Sequence, residues 1–363
     1  MKLVISATNL IEGGGLQVLR DCVAAAARLY PEVETTVIVN NRSLVTHDDV
    51  TIIEAPDAKR NWWRRIYTEY RHFKTLSAQL RPDVWLSLHD MTPNVVAHRQ
   101  YVYCHNPAPF YKPTWRQMWH EPTFAAFNLL YGLLYSINIA RNDAVIVQQS
   151  WIRQCFVERY RVREVITAAP HGSTATVGRL ITRPATIFFY PALPRTFKNF
   201  EVICDAVRVL SAAGWDGEVR FTIAGNENRY ARWIARKAAR LPAIRLIGRQ
   251  DPAGMARQYE VADVVLFPST LETWGLPITE AKAWGKPILL ADLPYAHETV
   301  GYYEGAWFVD PVDPRAWAHA MRAAQQGRYS FTKIASGSVP IPDAPDWDAL
   351  IKRLTKFVDP VLR

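Results

Sequence analysis

The chain has 363 residues, enough for two domains of ordinary size, and its 49% hydrophobic and 21% charged residues are typical of soluble globular proteins. Its net charge of +9 favours acidic partners such as nucleoside diphosphates or anionic lipid. The sequence lacks zinc-finger spacing, RNA-recognition signatures and long lysine–arginine tracts, so we expect no nucleic-acid partner. Its four cysteines are scattered without a C-x-x-C pair, which predicts buried thiols in a reducing, cytoplasmic compartment.

The first half of the chain alternates predicted strands and helices. Strands are expected at 2–7, 35–40, 50–53, 84–88, 100–104, 144–148 and 164–168, and helices at 16–29, 61–80, 124–141 and 150–160, the last capped by Ser150. This alternation indicates a parallel, doubly wound sheet. The apolar helix 124–141 is slightly short for a membrane span and contains polar residues, so we expect it to be buried or interfacial.

The pattern is interrupted at 170–184, which is rich in Gly, Thr, Ser and Arg and predicts an interdomain linker. It then resumes with strands expected at 186–190, 220–224, 244–247, 264–267, 287–291 and 307–309, and helices at 199–213, 278–284 and 346–357. We therefore expect an α/β protein with one domain over 1–178, a second over 179–345 and a closing helix within 346–363.

The most specific pattern is a pair of glutamates, Glu272 and Glu280, separated by seven residues. A predicted buried strand precedes them, and Gly275-Leu276-Pro277 should lead into a helix whose first turn contains Glu280. A strand, a polar loop and a helix N-terminus form the place where open α/β sheets hold ligands. Carboxylates at that place can accept hydrogen bonds from a diol such as ribose or a hexose.

Two basic residues, Arg195 and Lys198, stand just before the predicted helix 199–213. Positive charge at a helix N-terminus opposes the helix dipole, and a bound anion would offset that cost. The pair therefore suggests a clamp on a diphosphate, which would neutralise charge on a leaving nucleotide.

A glycine run, Gly13-Gly14-Gly15, follows the first predicted strand and opens the first helix. Backbone N–H groups at such a helix start can hold phosphate. The run is not a dinucleotide fingerprint, because Val18 occupies the third-glycine position and Asn40 stands where an acidic residue would end the second strand. A nicotinamide cofactor is therefore not expected.

These motifs resemble the retaining nucleotide-sugar glycosyltransferases of family 4, which have the GT-B fold. The resemblance covers most of the chain and is strongest over 188–300. It implies two Rossmann-like domains facing a cleft, with the acceptor in the first, the donor in the second and a last helix that crosses back. It also implies that a hexose or deoxyhexose moves from a nucleoside-diphosphate sugar to a hydroxyl with retention of configuration and without a metal or other cofactor.

The resemblance also assigns roles to single residues. Glu272 would face the donor sugar, Glu280 would bind the ribose, and Lys198 with Arg195 would hold the diphosphate. The family places its arginine where this chain has Leu193, so Arg195 would act from a shifted loop. Further donor contacts are implied at Gly275, Leu276, Gly225, Gly248, Arg249, Gly14 and Gly15.

Two residues of the first domain follow predicted strands. His105 would lie near the sugar and the β-phosphate, as a histidine often does in this family. Asp90 would meet the acceptor hydroxyl. No metal-ligand set is visible, so the cations and helix N-termini would stabilise the leaving diphosphate.

The predicted helix over 59–74 combines basic and aromatic residues. Such a helix suits an anionic membrane surface, although a solvated basic face with apolar residues packed on the sheet remains an equal alternative. Membrane contact would suit a lipid-linked glycan acceptor. The family resemblance implies a role in the synthesis of a bacterial surface polysaccharide, such as lipopolysaccharide. Membrane contact would place this synthesis on the inner face of the cytoplasmic membrane.

Two other functions would share this fold and donor site. One is a sugar-nucleotide epimerase, which would act on the donor without an acceptor. The other is a non-catalytic module that binds a sugar or nucleotide and releases no product. The presence of Glu272, Glu280 and Lys198 together favours an enzyme. The donor sugar, its base, the acceptor and the linkage stay open.

Overall fold

The computed structural model describes residues 1–168, 177–335 and 337–356, apart from the side chain of Leu129. The chain divides into two compact units: the first is Met1–Phe110, Leu129–Thr174 and Ile341–Arg363, and the second is Tyr111–Asn128 and Ala175–Pro340. The segment 111–128 therefore groups with the second unit, whereas the sequence placed it in the first domain. Residues 170–176 of the predicted linker and all residues after 356 lie outside the described part.

Parallel strands form the sheet of the first unit. They are β1 (Lys2–Ala7), β2 (Glu34–Val39), β3 (Thr51–Glu54), β4 (Val84–Ser87), β5 (Arg99–Cys104), β6 (Ala144–Val147) and β7 (Val165–Thr167), in the spatial order β3-β2-β1-β4-β5-β6-β7. The chain thus starts in the interior of the sheet and builds outward on both sides of β1. In an open α/β sheet, the carboxyl ends of the strands at such a reversal, here β1 and β4, are where ligands bind.

A second parallel sheet lies in the second unit. Its strands are β8 (Ile187–Tyr190), β9 (Glu218–Phe221), β10 (Ile244–Leu246), β11 (Val264–Phe267), β12 (Ile288–Ala291) and β13 (Ala306–Val309), in the order β10-β9-β8-β11-β12-β13. Strands β11 and β12 are buried along their whole length, because helices cover both faces of a parallel sheet. The two sheets confirm the predicted α/β class.

In chain order, the helices are α1 (Gly13–Leu29), α2 (Trp62–Tyr67), α3 (Phe73–Leu80), α4 (Trp115–His120), α5 (Pro122–Ser136), α6 (Ser150–Arg159), α7 (Phe200–Ser211), α8 (Arg229–Ala238), α9 (Pro252–Val261), α10 (Leu276–Ala283), α11 (Pro294–Val300), α12 (Pro314–Gln325) and α13 (Trp347–Thr355). Five of them, α4, α8, α9, α11 and α12, were not predicted. Helix α8 carries many basic residues beside its buried ones, and these mask its apolar face in the sequence.

Helix α13 packs in the first unit. Its Leu350, Ile351 and Leu354 side chains are buried in the same apolar cluster as Leu19 and Val23 of α1. The Arg353 guanidinium also donates to Glu164, which precedes β7, at 2.7 Å. The predicted return of the last helix to the first unit is therefore confirmed.

The long helix predicted over 61–80 is interrupted. It consists of α2, a π-helical turn over Thr68–His72, and α3. The wider turn contains Glu69, whose side chain is fully buried. Single π-helical turns often occur at functional sites, and this one directs a charged side chain into the first unit.

One helical stretch of the described chain, Pro122–Arg141, is long and apolar enough to span a membrane by length and composition alone. Its Tyr131 and Tyr135 side chains are buried, whereas Leu130, Leu133 and Ile137 are exposed. A core helix of a soluble protein satisfies the same criteria, and the division between burial and exposure agrees with a buried or interfacial helix.

Candidate functional site

The carboxyl ends of the parallel strands in the second unit lie at one edge of their sheet. The loop after β8 carries Lys198, the loop after β9 carries Gly225, and the loop after β11 carries Glu272. Gly248 and the exposed Arg249 follow β10 at the same edge. Residues implied for the donor site are therefore gathered at the sheet edge where α/β proteins bind ligands.

At this edge, the Lys198 ammonium donates a hydrogen bond to the Glu272 carboxylate. Both side chains are largely buried, with 15% and 12% of their surfaces exposed. The ammonium also lies 5.6 Å from the ring centroids of Phe197 and Phe267, a cation–π distance. Burial and the nearby Glu272 charge raise the pKa of Tyr295 well above its ordinary value. The pair thus occupies a partly dehydrated position where its charges act strongly.

The second glutamate lies one helix further on. The sequence suggested that Glu280 lies in the first turn of its helix. In the structure it is the fifth residue of α10 and therefore lies in the second turn. Its carboxylate accepts a hydrogen bond of 2.6 Å from the hydroxyl of Tyr259 on α9. Burial and the Glu280 charge raise the pKa of Tyr259 well above its ordinary value. The Tyr259 hydroxyl stays protonated and fixes the orientation of a carboxylate that remains exposed.

Two of the predicted donor-site glycines are required by the backbone. Gly275, which precedes Leu276 at the start of α10, has φ +79°, and a Cβ there would lie 3.1 Å from Ile278 Cδ1. Gly225 has φ +89°, and a Cβ there would lie 2.7 Å from the Cβ of Ala235 on α8. Both glycines therefore have a structural role that is independent of any ligand.

Arg195 has a partner that the sequence did not reveal. Its Nε lies 2.7 Å from Glu121 of the segment 111–128, and its guanidinium lies over Phe124 and Phe197 at 5.5 and 5.7 Å. The Glu121 carboxylate also accepts from the backbone N–H of Thr196 at 2.6 Å. The Arg195 charge is thus neutralised within the second unit, where it fastens the segment 111–128. Lys198 is also paired with a carboxylate, that of Glu272, but its pair lies at the edge of the second sheet and does not involve the segment 111–128.

In the first unit, Asp90 is a buried hub. Its carboxylate accepts from the backbone N–H groups of His105 and Asn106 at 2.7 and 3.0 Å, and from the hydroxyls of Tyr135 and Tyr131 at 3.0 and 3.4 Å. His105 Nε2 lies 3.5 Å from Oδ2 of the Asp90 carboxylate. A carboxylate has about four acceptor positions. Asp90 therefore has little capacity for an acceptor hydroxyl and instead holds His105 in place.

Its neighbour His89 is also internal. His89 and Glu69 are 1% and 0% exposed, and Nε2 lies 2.6 Å from the Glu69 carboxylate. The other ring nitrogen, Nδ1, lies 3.0 Å from the carbonyl oxygen of Ser6. Nothing in the sequence signalled that Glu69 would be the buried partner of His89.

Gly14 and Gly15 lie in the first turn of α1, which starts at Gly13 near the same sheet edge.

The Asp90 hub makes a testable prediction about stability. Asp90 has φ +68°, a conformation that Asn also tolerates, so Asp90→Asn changes the charge without adding backbone strain. It should lower the unfolding free energy of the first unit by about 3 kcal/mol or more, because several buried donors lose a charged acceptor. Tyr131→Phe, which removes the longest of these contacts and the contact of the same hydroxyl with Arg65, should cost less, about 1–2 kcal/mol. Urea unfolding measures both, and equal midpoints for the two variants would contradict the hub.

The sequence was also compared with known proteins. Residues 184–326 match the family described as glycosyl transferases group 1. We refer to residues 184–326, over which this match extends, as the group 1 region. It contains the residues described above at the edge of the second sheet, and it excludes the segment 111–128 of the second unit. Among the described residues, no group of three or more His, Cys, Asp or Glu side chains is placed to hold a metal ion.

Curated relatives of the group 1 region match over short stretches. D-inositol 3-phosphate glycosyltransferase from Corynebacterium kroppenstedtii is 29% identical over 146 residues, which are 38% of this chain and 32% of that protein. O-antigen chain mannosyltransferase RfbU from Salmonella typhimurium is 34% identical over 68 residues, which are 19% of each chain. The matches thus span about a third or less of these relatives.

Structural similarity extends over the whole chain. The structure of Anabaena Alr3699/HepE in complex with UDP-glucose covers 99% of this chain and 99% of that one, with a TM-score of 0.59 and 14% identity. At this level of identity the likeness concerns the fold. Together with the two parallel sheets, it shows that the chain has the GT-B fold.

Proposed function

We propose that this protein is a retaining glycosyltransferase. It would move a hexose or deoxyhexose from a nucleoside-diphosphate sugar to a hydroxyl of a glycan or lipid-linked acceptor. The observation that carries the proposal is the Lys198–Glu272 pair, which lies at the carboxyl edge of the second sheet within the group 1 region. Glu280 follows on α10, held by Tyr259. The first unit would bind the acceptor and the second the donor.

Each of these residues has a chemical part in the proposed reaction. The Lys198 ammonium would leave Glu272 and bind the diphosphate, where it stabilises the charge that develops on the leaving nucleotide. The released Glu272 carboxylate would then accept hydrogen bonds from hydroxyls of the donor sugar. Glu280 would accept from the ribose diol. The departing phosphate would take the acceptor proton, so the reaction requires no protein nucleophile, metal or other cofactor.

Known proteins support this choice of substrates without determining it. One curated relative is named as a glycosyltransferase for inositol 3-phosphate, and another as an O-antigen mannosyltransferase. A protein of the same fold is seen with UDP-glucose. These names suit a nucleotide-sugar donor and a role in bacterial surface polysaccharide or lipopolysaccharide synthesis, at the cytoplasmic side of the membrane.

The exposed side of the region around α2 supports peripheral membrane contact. Trp63 is 81% exposed, and Tyr67, Arg60 and Arg64 are exposed beside it. Exposed tryptophan next to arginine suits the headgroup region of an anionic bilayer. We propose that this face touches the membrane that would carry a lipid-linked acceptor.

A thermal-shift screen of nucleoside diphosphates and their sugars tests the donor assignment. One base series should raise the melting temperature, because a ligand that binds only the native state stabilises it according to occupancy and affinity. The best donor is then incubated with and without candidate acceptors. Acceptor-dependent release of nucleotide supports the transferase, and an isomerised sugar nucleotide without acceptor identifies an epimerase. Binding without any product would contradict enzymatic function.

A further inference from the structure

A cavity of about 310 Å³ lies in the first unit and belongs to no site described above. It is lined by Asn9, Ala58, Lys59, Asn61, Trp62 and Arg65. Asn9 follows β1, and Arg65 donates to the carbonyl oxygen of His89, which follows β4, at 3.2 Å. The cavity therefore lies at the carboxyl edge of the first sheet, at the reversal in strand order. Its volume is at the lower end of the range for small-molecule sites, roughly 300–1,000 Å³.

The cavity has a fixed cation. Besides its bond to His89, the Arg65 guanidinium donates to the side-chain oxygen of Asn9 at 2.6 Å, in the amide orientation that satisfies both groups. It also lies 5.2 Å from the ring centroid of Trp62. These contacts hold the guanidinium in one place before any ligand arrives, which lowers the entropy cost of binding.

The charges on α2 and its preceding turn divide between two faces. Arg60 and Arg64, outside the cavity, both approach Asp57 at 3.0 and 3.6 Å. Lys59 and Arg65, which line the cavity, have no carboxylate within ion-pair distance among the residues that the structure describes. The cavity thus holds two cations without an acidic partner, so its lining favours a negatively charged ligand.

The remaining lining suits a sugar. Trp62 is 46% exposed and stands edge-on to Tyr131, with ring centroids 6.5 Å apart. An indole ring offers an apolar surface against which the C–H face of a sugar ring can stack, while Asn9 and Asn61 offer amide groups to its hydroxyls. The Tyr131 hydroxyl in turn donates to Asp90, so the cavity adjoins the hub that holds His105.

We propose that this cavity binds the acceptor, and that the bound acceptor residue is a sugar carrying a phosphate or carboxylate group. Lys59 and Arg65 contact the anionic group, and Trp62 stacks on the ring. This inference rests on the proposed function, because only a glycosyltransferase gives the ligand its role as the acceptor of the transferred sugar. The binding of an anionic sugar can nevertheless be measured without any donor.

Calorimetry or saturation-transfer NMR on the full chain tests the proposal with glucose 6-phosphate, glucuronate, glucose and inorganic phosphate as probes. The two anionic sugars should bind about tenfold or more tightly than glucose, the gain expected from charge-assisted hydrogen bonds. Lys59→Glu and Arg65→Gln should each remove about tenfold or more of that affinity. Trp62→Ala should weaken the binding of glucose as well, because stacking does not depend on the charge.

Lys74→Glu provides the matched control, because it makes the same charge change at an exposed position of α3 outside the cavity. It should leave the binding of glucose 6-phosphate unchanged. Equal binding of glucose and glucose 6-phosphate would overturn the proposal. Normal binding of glucose 6-phosphate by both Lys59→Glu and Arg65→Gln would also overturn it. So would binding of inorganic phosphate as tight as that of the sugar phosphate. The melting shift with nucleoside diphosphates is recorded on every variant. Its absence in all of them would reject the proposed function while the test of the cavity stands.

Discussion

Lys198→Ala is expected to lower kcat by about 10²–10³-fold, the loss seen when one preorganised group that stabilises a developing negative charge is removed. The Lys198 ammonium lies at the edge of the second sheet in a partly dehydrated position between Phe197 and Phe267. Water replaces such a charge poorly because it must reorient as the leaving diphosphate gains charge. The measurement is acceptor-dependent release of nucleotide from the donor found in the thermal-shift screen.

Two variants separate this effect from loss of folding. Lys333→Ala removes an exposed lysine elsewhere in the second unit and should retain normal turnover. The double variant Lys198→Ala with Glu272→Gln removes the carboxylate charge that the single variant leaves without its partner, so it should recover melting temperature but not turnover. Turnover within threefold of the parent in a folded Lys198→Ala variant would show that the diphosphate is bound elsewhere.

The sequence was sufficient to predict the strands of both sheets to within a few residues. Buried parallel strands are short apolar runs, such as Val264–Phe267, and their pattern does not depend on distant contacts. Helices were predicted less completely. Helix α8 was not predicted because its arginines obscure the apolar face formed by Tyr230, Ala231 and Ile234. The π-helical turn at Thr68–His72 leaves no periodic signal, since one widened turn hardly alters the spacing of apolar residues.

The sequence could suggest candidate site residues together where they are close along the chain. Glu272 and Glu280 are separated by a single loop and one helix start, so their spacing alone suggested a shared location. Contacts between distant segments were not predictable. Arg195 pairs with Glu121, and His89 with Glu69, through folding that no local pattern specifies. Tyr259, which orients Glu280, lies on a helix that was itself missed.

These distant contacts change how the predicted residues are interpreted. Asp90 was chosen because it follows a predicted strand, and Arg195 because it stands just before a predicted helix. In the structure, both charges are engaged within their own units, by amides and tyrosines around Asp90 and by Glu121 at Arg195. By contrast, the Glu280 carboxylate is exposed and oriented. A charged group that is held in place yet still accessible is the better candidate for ligand binding.

Glu280→Gln is expected to weaken donor affinity by about tenfold or more, because a neutral amide gives weaker hydrogen bonds to the ribose diol than a carboxylate does. The Tyr259 hydroxyl donates to the carboxylate at 2.6 Å, and the amide oxygen of Gln can still accept that bond, so the fold should be preserved. Calorimetric titration with the nucleoside diphosphate measures the change. Glu260→Gln, an exposed carboxylate on α9, is the matched control and should bind the nucleotide normally.

A 2′-deoxy nucleotide tests whether Glu280 contacts the ribose or another part of the donor. The parent protein should bind the ribonucleotide more tightly than its 2′-deoxy form, because only the former offers both hydroxyls to Glu280. Glu280→Gln should lose most of that preference, since the group that reads the second hydroxyl has lost its charge. A variant with weakened affinity but an unchanged preference would mean that Glu280 contacts another part of the donor. Unchanged affinity would remove Glu280 from the donor site altogether.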